Sequence, residues 1–249
     1  MRRQTFDLDG YCKLLRSLLS RGYEVVDFHT LDPQRQHLIL RHDIDMSIAA
    51  AQRVAEVEAE LGLRSIYFVL LRTELYNVWS DIGRKQLKHI AELGHEVGLH
   101  LDLSLYDDTE KAIENAARSE CDALELVTEK PVRTISFHRP AKALQGRPGK
   151  LAGRRHAYEP TFFSEIGYCS DSRGGWHYGH PLEHPSVRDR KALQLLTHPI
   201  WWQSPAMAPE DRLCSFLREK FVLLDLELAN NCSTHKQLTN VTAEASVDQ

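Results

Sequence analysis

Between residues 38 and 138, short apolar runs alternate with longer amphipathic stretches, and this alternation restricts the fold more than any other feature of the chain. The run LILRHDID (38–45) is apolar at its start and charged at its end. Ser47 then precedes an Ala-rich amphipathic stretch to Leu61, and Gly62 stops that stretch before SIYFVLL (65–71). A polar segment from Asp81 to Leu93 has helical periodicity and leads through Gly94 into HEVGLHLDLSL (95–105). There Val97, Leu99, Leu101, Leu103 and Leu105 alternate with Glu96, Gly98, His100, Asp102 and Ser104, the period of a strand. A helix from Thr109 to Val127 follows, and VRTISFH (132–138) is a further strand stopped by Pro140. Strands separated by helices and joined by short turns pair in parallel through right-handed crossovers. The order βαβαβαβ therefore predicts an α/β fold, either a (β/α) barrel or an open doubly wound sheet.

The flanking segments add less. Tyr11, Leu14, Leu15, Leu18 and Leu19 recur at helical spacing up to Gly22, so a first helix is expected as a cover over one barrel end, followed by a short strand EVVDF (24–28). Residues 141–160 read as an irregular loop rich in Gly and basic residues, ALQLLTH (192–198) as a late strand, and Pro209 as the start of a last helix running through Phe221. With 249 residues, the chain is expected to form one catalytic domain over 1–230 and a polar tail over 231–249. A net charge of −4 gives no general pull toward nucleic acid, and no apolar run reaches membrane-spanning length, so neither partner is expected. The start MRRQTFDLDGYCKLL has no uninterrupted apolar stretch, and the five cysteines are scattered singly and odd in number. Both features lead to the expectation of a reduced, cytoplasmic protein. Oligomeric state is not set by the sequence.

Four strands end in ionisable residues: Asp43 and Asp45 in RHDID, His100 and Asp102 in GLHLD, His138 and Arg139 in SFHRP, and His198 in LTHP. Parallel α/β folds gather strand carboxyl ends on one face, which is where their active sites lie. Asp43 and Asp45 are two apart, so they point to one side of an extended strand with about 6–7 Å between their backbones. One can bind a cation while the other takes a proton from water. His100 and Asp102 share a face for the same reason, the apolar odd-numbered residues claiming the other. Asp45, His100 and His138 make a mixed oxygen and nitrogen set for an open divalent site, suited to zinc and also to cobalt, nickel, manganese or iron. His198 is left as a general acid, with Asp171 placed to orient it.

These residues make the chain resemble the polysaccharide deacetylase family, also called the NodB-homology or carbohydrate esterase fold. RHDID resembles the family's Asp-Asp motif, GHEVGLH its metal-binding histidine motif, LTHP its late catalytic-histidine motif, and YCSDSRGGW (168–176) its Asp- and Trp-containing segment. LGLRSIYFV after the first motif is similarly spaced, so the resemblance spans residues 38–202. It implies a distorted (β/α) barrel, a divalent metal that is often zinc, and release of acetate or formate from an acylated amino sugar or sugar nucleotide. By position, Asp43 resembles the base, Asp45 and His100 metal ligands, and His198 the acid. Two departures stand out. The family's second ligand histidine is replaced by Ser104, so the third ligand is taken as His138, with Asp102 the other candidate. The two aspartates are split by Ile44, so their roles can be exchanged.

Arg139 joins Asp43, Asp171 and His198 among the catalytic candidates, and Trp176, Trp201 and Asp102 are the candidates for holding substrate. Lys142, Arg147, Lys150, Arg154 and Arg155 make a basic loop that reads as solvated surface or as a holder of phosphate, nucleotide diphosphate or uronate. His177, His180 and His184 lie among Gly and Pro and read as an irregular loop, not a second metal site. Other readings on the same fold are a deformylase, a ureide amidohydrolase, or an inactive carbohydrate-binding relative.

Overall fold

The computed structural model describes residues 5–139, 144–177 and 179–235. Two compact units divide the chain at 206/207. The first unit contains helices α1 (Leu8–Ser20), α2 (Ile48–Glu60), α3 (Asp81–Glu92), α4 (Glu110–Thr128) and the single turn α5 (Pro185–Arg188). Its strands are β1 (Glu24–Val25), β2 (His37–Ile44), β3 (Ile66–Val69), β4 (Glu96–Asp102), β5 (Thr134–His138), β6 (Arg155–His156), β7 (Gly167–Ser170) and β8 (Leu193–Thr197). The second unit carries α6 (Pro209–Asn231), with proline at its first turn followed by Glu210 and Asp211, residues that suit a helix N-terminus. Among the described residues no helix is long and apolar enough to cross a membrane, and all five cysteines are unpaired.

Every strand pairing is parallel, in the order β6-β5-β4-β3-β2-β8-β7, with β1 beside β2. The sheet is curled. Three strand spacings separate β2 from β5, about 14 Å if flat, yet Arg41 on β2 donates from Nη2 to Ser136 Oγ on β5 at 2.6 Å. An arginine and a serine do not span the flat distance, so the sheet closes round Arg41 as a (β/α) barrel. The barrel is incomplete: β6 and β7, at the two ends of the path, are not paired with each other among the described residues. A π-helical turn, Thr161–Glu165, joins the chain near this seam, and Gln194 Nε2 donates to its Phe162 carbonyl at 2.9 Å.

Strand parity sorts the cores. Odd residues of β2 (Ile39, Arg41, Asp43) face the barrel interior, and even ones face the helices. The lower interior is apolar, with Phe28, Ile39, Ile66, Phe68, Phe162 and Ile166 buried together. Phe28 stacks edge-on against Phe162 at 4.8 Å between ring centres. Gly98 faces inward beside them, because a Cβ there would lie 2.7 Å from the Phe68 ring and 2.8 Å from the Thr134 carbonyl. Outside, Ile44, Val69, Leu99, Leu101, Ile135 and Phe137 pack against Ala51, Leu87, Ala117 and Leu124 of the helices.

Three local expectations change. The helix α1 lies beside α2 on the outer face, where Tyr11 reaches Glu58 of α2; the loop around Phe28 closes the lower end instead. The alternating strand stops at Asp102, whose carboxylate accepts from Ser104 N at 3.0 Å and turns Leu103–Leu105 into a 3-10 turn, leaving Leu105 exposed. The irregular loop contains β6, and YCSDSRGGW begins inside β7.

Candidate active site

Parallel pairing brings the carboxyl ends of β2, β4, β5, β7 and β8 to one mouth, where they line a cavity of about 510 Å³, a size typical of small-ligand sites. Asp45 Oδ1, His100 Nε2 and His138 Nδ1 form a nearly equilateral triangle. Asp45 lies 3.3 Å from His100 and 3.4 Å from His138, and the two imidazole nitrogens are 3.3 Å apart. Donors at about 2.0–2.1 Å around one ion, at tetrahedral angles, are about 3.3–3.4 Å apart, so the three residues fit a single divalent cation and leave positions for water and substrate. Asp45 Oδ1 is buried without a hydrogen-bond partner among the described residues, as a ligand oxygen would be. Burial pushes its carboxyl up, but His100 and His138 more than reverse this and hold it ionised far below the usual range.

Asp43 sits one layer deeper, 4% exposed. Arg41, fully buried, grips it with two bonds, Nη2 to Oδ2 at 2.8 Å and Nε to Oδ1 at 3.3 Å, and also donates to Gln194 Oε1 at 3.2 Å. Burial raises the Asp43 pKa, yet the guanidinium and then His100 pull it below the ordinary range. The arginine stays charged because the carboxylate and the rings of Phe68 and Tyr158, 5.4 and 5.6 Å from its central carbon, surround it. Asp43 Oδ2 is 3.6 Å from His100 Nε2, just outside the triangle.

His198 stands on the opposite side. Its Nδ1 is 2.6 Å from Asp171 Oδ1 and its Nε2 is 3.7 Å from Asp45 Oδ2, so the free end of the ring points at the triangle. Asp171 is fully buried and accepts from the His198 backbone at 3.0 Å and from Trp202 Nε1 at 2.7 Å. Burial alone lowers the His198 pKa, but Asp171 outweighs it and raises the imidazole to about 9.

A second polar cluster braces these strands from behind. Glu58 on α2 is fully buried and accepts from Tyr11 (2.6 Å), Tyr67 (2.6 Å) and Ser65 (2.5 Å), with His42 Nε2 at 2.9 Å. His42 in turn meets Thr197 Oγ1 at 2.7 Å. His42 precedes Asp43 and Thr197 precedes His198, so the network ties together the strand ends that carry those two residues. Burial raises Glu58, but His42 and the other donors bring its pKa down to about 2.

Arg41 and the Glu58 cluster have no counterpart among the sequence candidates, and Trp202, which the sequence offers with Trp176 and Trp201 as a ring to stack on a sugar, instead donates to Asp171. The one available signal for Arg41 was its odd parity with Asp43 and Asp45 in an otherwise apolar strand. Of the candidates, Asp43, Asp45, His100, His138, Arg139, His198 and Trp201 line the cavity, and Asp171 stands behind His198. Asp102 is level with His138 in the sheet but is engaged as the cap of the following turn, outside the triangle. Trp176 is not among the lining residues; it packs against Phe6 and Trp202 at 5.9 and 6.0 Å. His180 and His184 cap short turns through Nδ1, and among the described residues the Asp45 triad is the one cluster that fits a metal. In the basic loop Arg147 pairs with Glu110, Arg154 with Glu125, and Arg155 with Glu159; Lys142 lies outside the described residues.

No family model matches the sequence, and no curated protein does. Among solved structures, the deacetylase PplD of Streptococcus pyogenes in complex with acetate is 13% identical, with 87% of this chain and 89% of that one covered at a TM-score of 0.46. A family 4 carbohydrate esterase from Bacillus anthracis is 15% identical, with 85% and 86% covered at 0.44. BA3943, a CE4 family pseudoenzyme from Bacillus anthracis, is 14% identical, with 76% of this chain covered at 0.41; the chain spans 63% of that protein's length.

Proposed function

We propose that this protein is a metal-dependent hydrolase that removes an acyl group, acetyl in the first instance, from the nitrogen of an amino sugar. The observation that carries the reading is the triangle of Asp45, His100 and His138 set between a carboxylate on one side and an imidazole on the other. A divalent ion held by those three residues would supply polarisation of the amide carbonyl and acidification of water.

The chain's own residues divide the proton work. Asp43, kept ionised by Arg41, accepts the proton that an attacking water loses. His198 donates from Nε2 to the departing nitrogen, since its Nδ1 proton is committed to Asp171. With a pKa near 9 the ring is protonated at neutral pH and ready to act as an acid. Trp201 at the cavity wall, with Tyr168 and Phe163 partly exposed, offers apolar faces for a sugar ring. The motif resemblance, including the late histidine and the Asp- and Trp-containing segment, supports the same reading.

The test is acyl release from N-acetyl and N-formyl amino sugars by protein loaded in turn with zinc, cobalt, nickel, manganese and iron. Asp43→Asn is expected to retain metal and lose at least about 100-fold in kcat, the scale of a removed general base. Failure of every metal to support release of acetate or formate, or release of ammonia from a ureide instead, would refute the assignment.

A further inference from the structure

Two arginines line the cavity without an ionic partner. Arg139 follows β5 and Arg173 follows β7, both are exposed, and neither has an ion pair among the described residues. The two cavity carboxylates and the Asp171 behind His198 are already matched: Asp43 by Arg41, Asp45 by the two imidazoles, and Asp171 by His198. Asp102 is near enough to feel Arg139, but its Oδ1 is taken by Ser104. The basic loop shows the contrast, since Arg147, Arg154 and Arg155 are spent on surface carboxylates and do not line the cavity.

Both free arginines also hold left-handed backbone, with φ of 51° at Arg139 and 61° at Arg173. Such conformations are costly for side-chain-bearing residues and collect where a loop is shaped for a ligand. β5 and β7 stand on either side of the open seam, separated in the strand order only by the two-residue β6 and the gap. Phe163 and Tyr168, 41% and 42% exposed, lie on the same stretch of wall. Two arginines with no ion pair among the described residues, beside exposed rings, suit an anion attached to a flat or ring-shaped body.

We propose that the substrate carries an anionic group, a carboxylate or a phosphate, and that Arg139 and Arg173 bind it at the seam of the cavity. The inference rests on the deacylase reading and narrows it to acidic or phosphorylated amino sugars. Guanidinium forks match both oxyanions through paired hydrogen bonds, which is why the two sources are separated by experiment.

Calorimetric titration of zinc-loaded Asp43→Asn protein with four probes makes the test: N-acetylglucosamine, its 1-phosphate, its uridine diphosphate ester, and N-acetylglucosaminuronate. At least one anionic probe is expected to bind about 100-fold tighter than the neutral sugar. Arg139→Gln and Arg173→Gln are each expected to weaken that binding about tenfold, and the double variant about 100-fold, so that the anionic probes lose their advantage over the neutral sugar. Tighter binding of the uronate identifies a carboxylate, and of the phosphorylated probes a phosphate. Equal affinity for neutral and anionic probes, no binding of any anionic probe, or binding that ignores the double substitution overturns the proposal. Arginine-dependent binding without acyl release by the unsubstituted protein would sink the deacylase reading and keep the anion site. Release from neutral sugars with no arginine dependence would do the reverse.

Discussion

Replacing Asp171 by Asn tests how the protein controls the proton on His198. The Asp171 carboxylate is fully buried and its two oxygens meet only donors: His198 Nδ1 at 2.6 Å, the His198 backbone N–H at 3.0 Å, and Trp202 Nε1 at 2.7 Å. An amide nitrogen in place of either oxygen faces one of these donors, at a cost of about 1–3 kcal/mol for the group left unsatisfied. The charge matters separately. Burial would depress the imidazole pKa, and Asp171 is the largest influence that instead raises it from 6.5 to about 9. A rise of that size corresponds to about 3 kcal/mol of stability from the imidazolium. Because the folded value lies above the unfolded one, this stability is fully present below pH 6.5 and is lost as pH climbs to about 9. Metal-free Asp171→Asn protein should therefore fall short of the parent by the most below pH 6.5, and the gap should narrow by up to about 3 kcal/mol as pH approaches 9. Urea unfolding across that range reads the gap, and NMR titration of the His198 ring reads the pKa, which should drop toward 6.5 or below. An unchanged ring titration, or a gap that is flat with pH, would refute the role given to Asp171.

Arg41→Met leaves Asp43 buried without its partner and should cost about 3–5 kcal/mol at pH 7 by chemical denaturation, with part of the loss recovered where Asp43 takes up a proton in acid; a loss under about 1 kcal/mol would contradict the buried pair. Glu58 is held near 2, below its unfolded value of 4.5, so its contribution is present above pH 4.5 and disappears as pH falls toward 2. Glu58→Gln should thus be less stable than the parent at pH 6, with the difference shrinking by about 3 kcal/mol by pH 2. A pH-independent difference in unfolding free energy would show that Glu58 is not held as a carboxylate.

Period-two reading carried the sequence far at the site, because strand parity is a local property. It placed Asp43 with Asp45 on one face of β2 and His100 opposite the leucines of β4, and the strand ends do meet. Parity could not show curvature, since the closeness of Arg41 and Ser136 depends on how three intervening strands curl. Nor could it show that an arginine in an apolar strand serves a carboxylate two residues on, or that Trp202 and not Trp176 reaches Asp171. Alternation misled at Leu103 and Leu105, where the Asp102 side chain competes with the ladder for Ser104 N and turns the chain. The short β6 and β7 were hidden because two to four residues amid Gly, Arg and Ser give no periodic signal. Glu58 looked like an ordinary helix residue, since only the fold brings Tyr11, His42, Ser65 and Tyr67 around it.

The central claim is that Asp45, His100 and His138 together hold one divalent ion. Zinc titration followed by calorimetry, on the parent and on His100→Ala, His138→Ala, Asp102→Ala and Asp43→Asn, tests it directly. One ion per chain is expected for the parent, Asp102→Ala and Asp43→Asn, with affinity reduced at least about 100-fold in the two histidine variants. Parent-like binding by His138→Ala, or loss of the ion in Asp102→Ala, would contradict it.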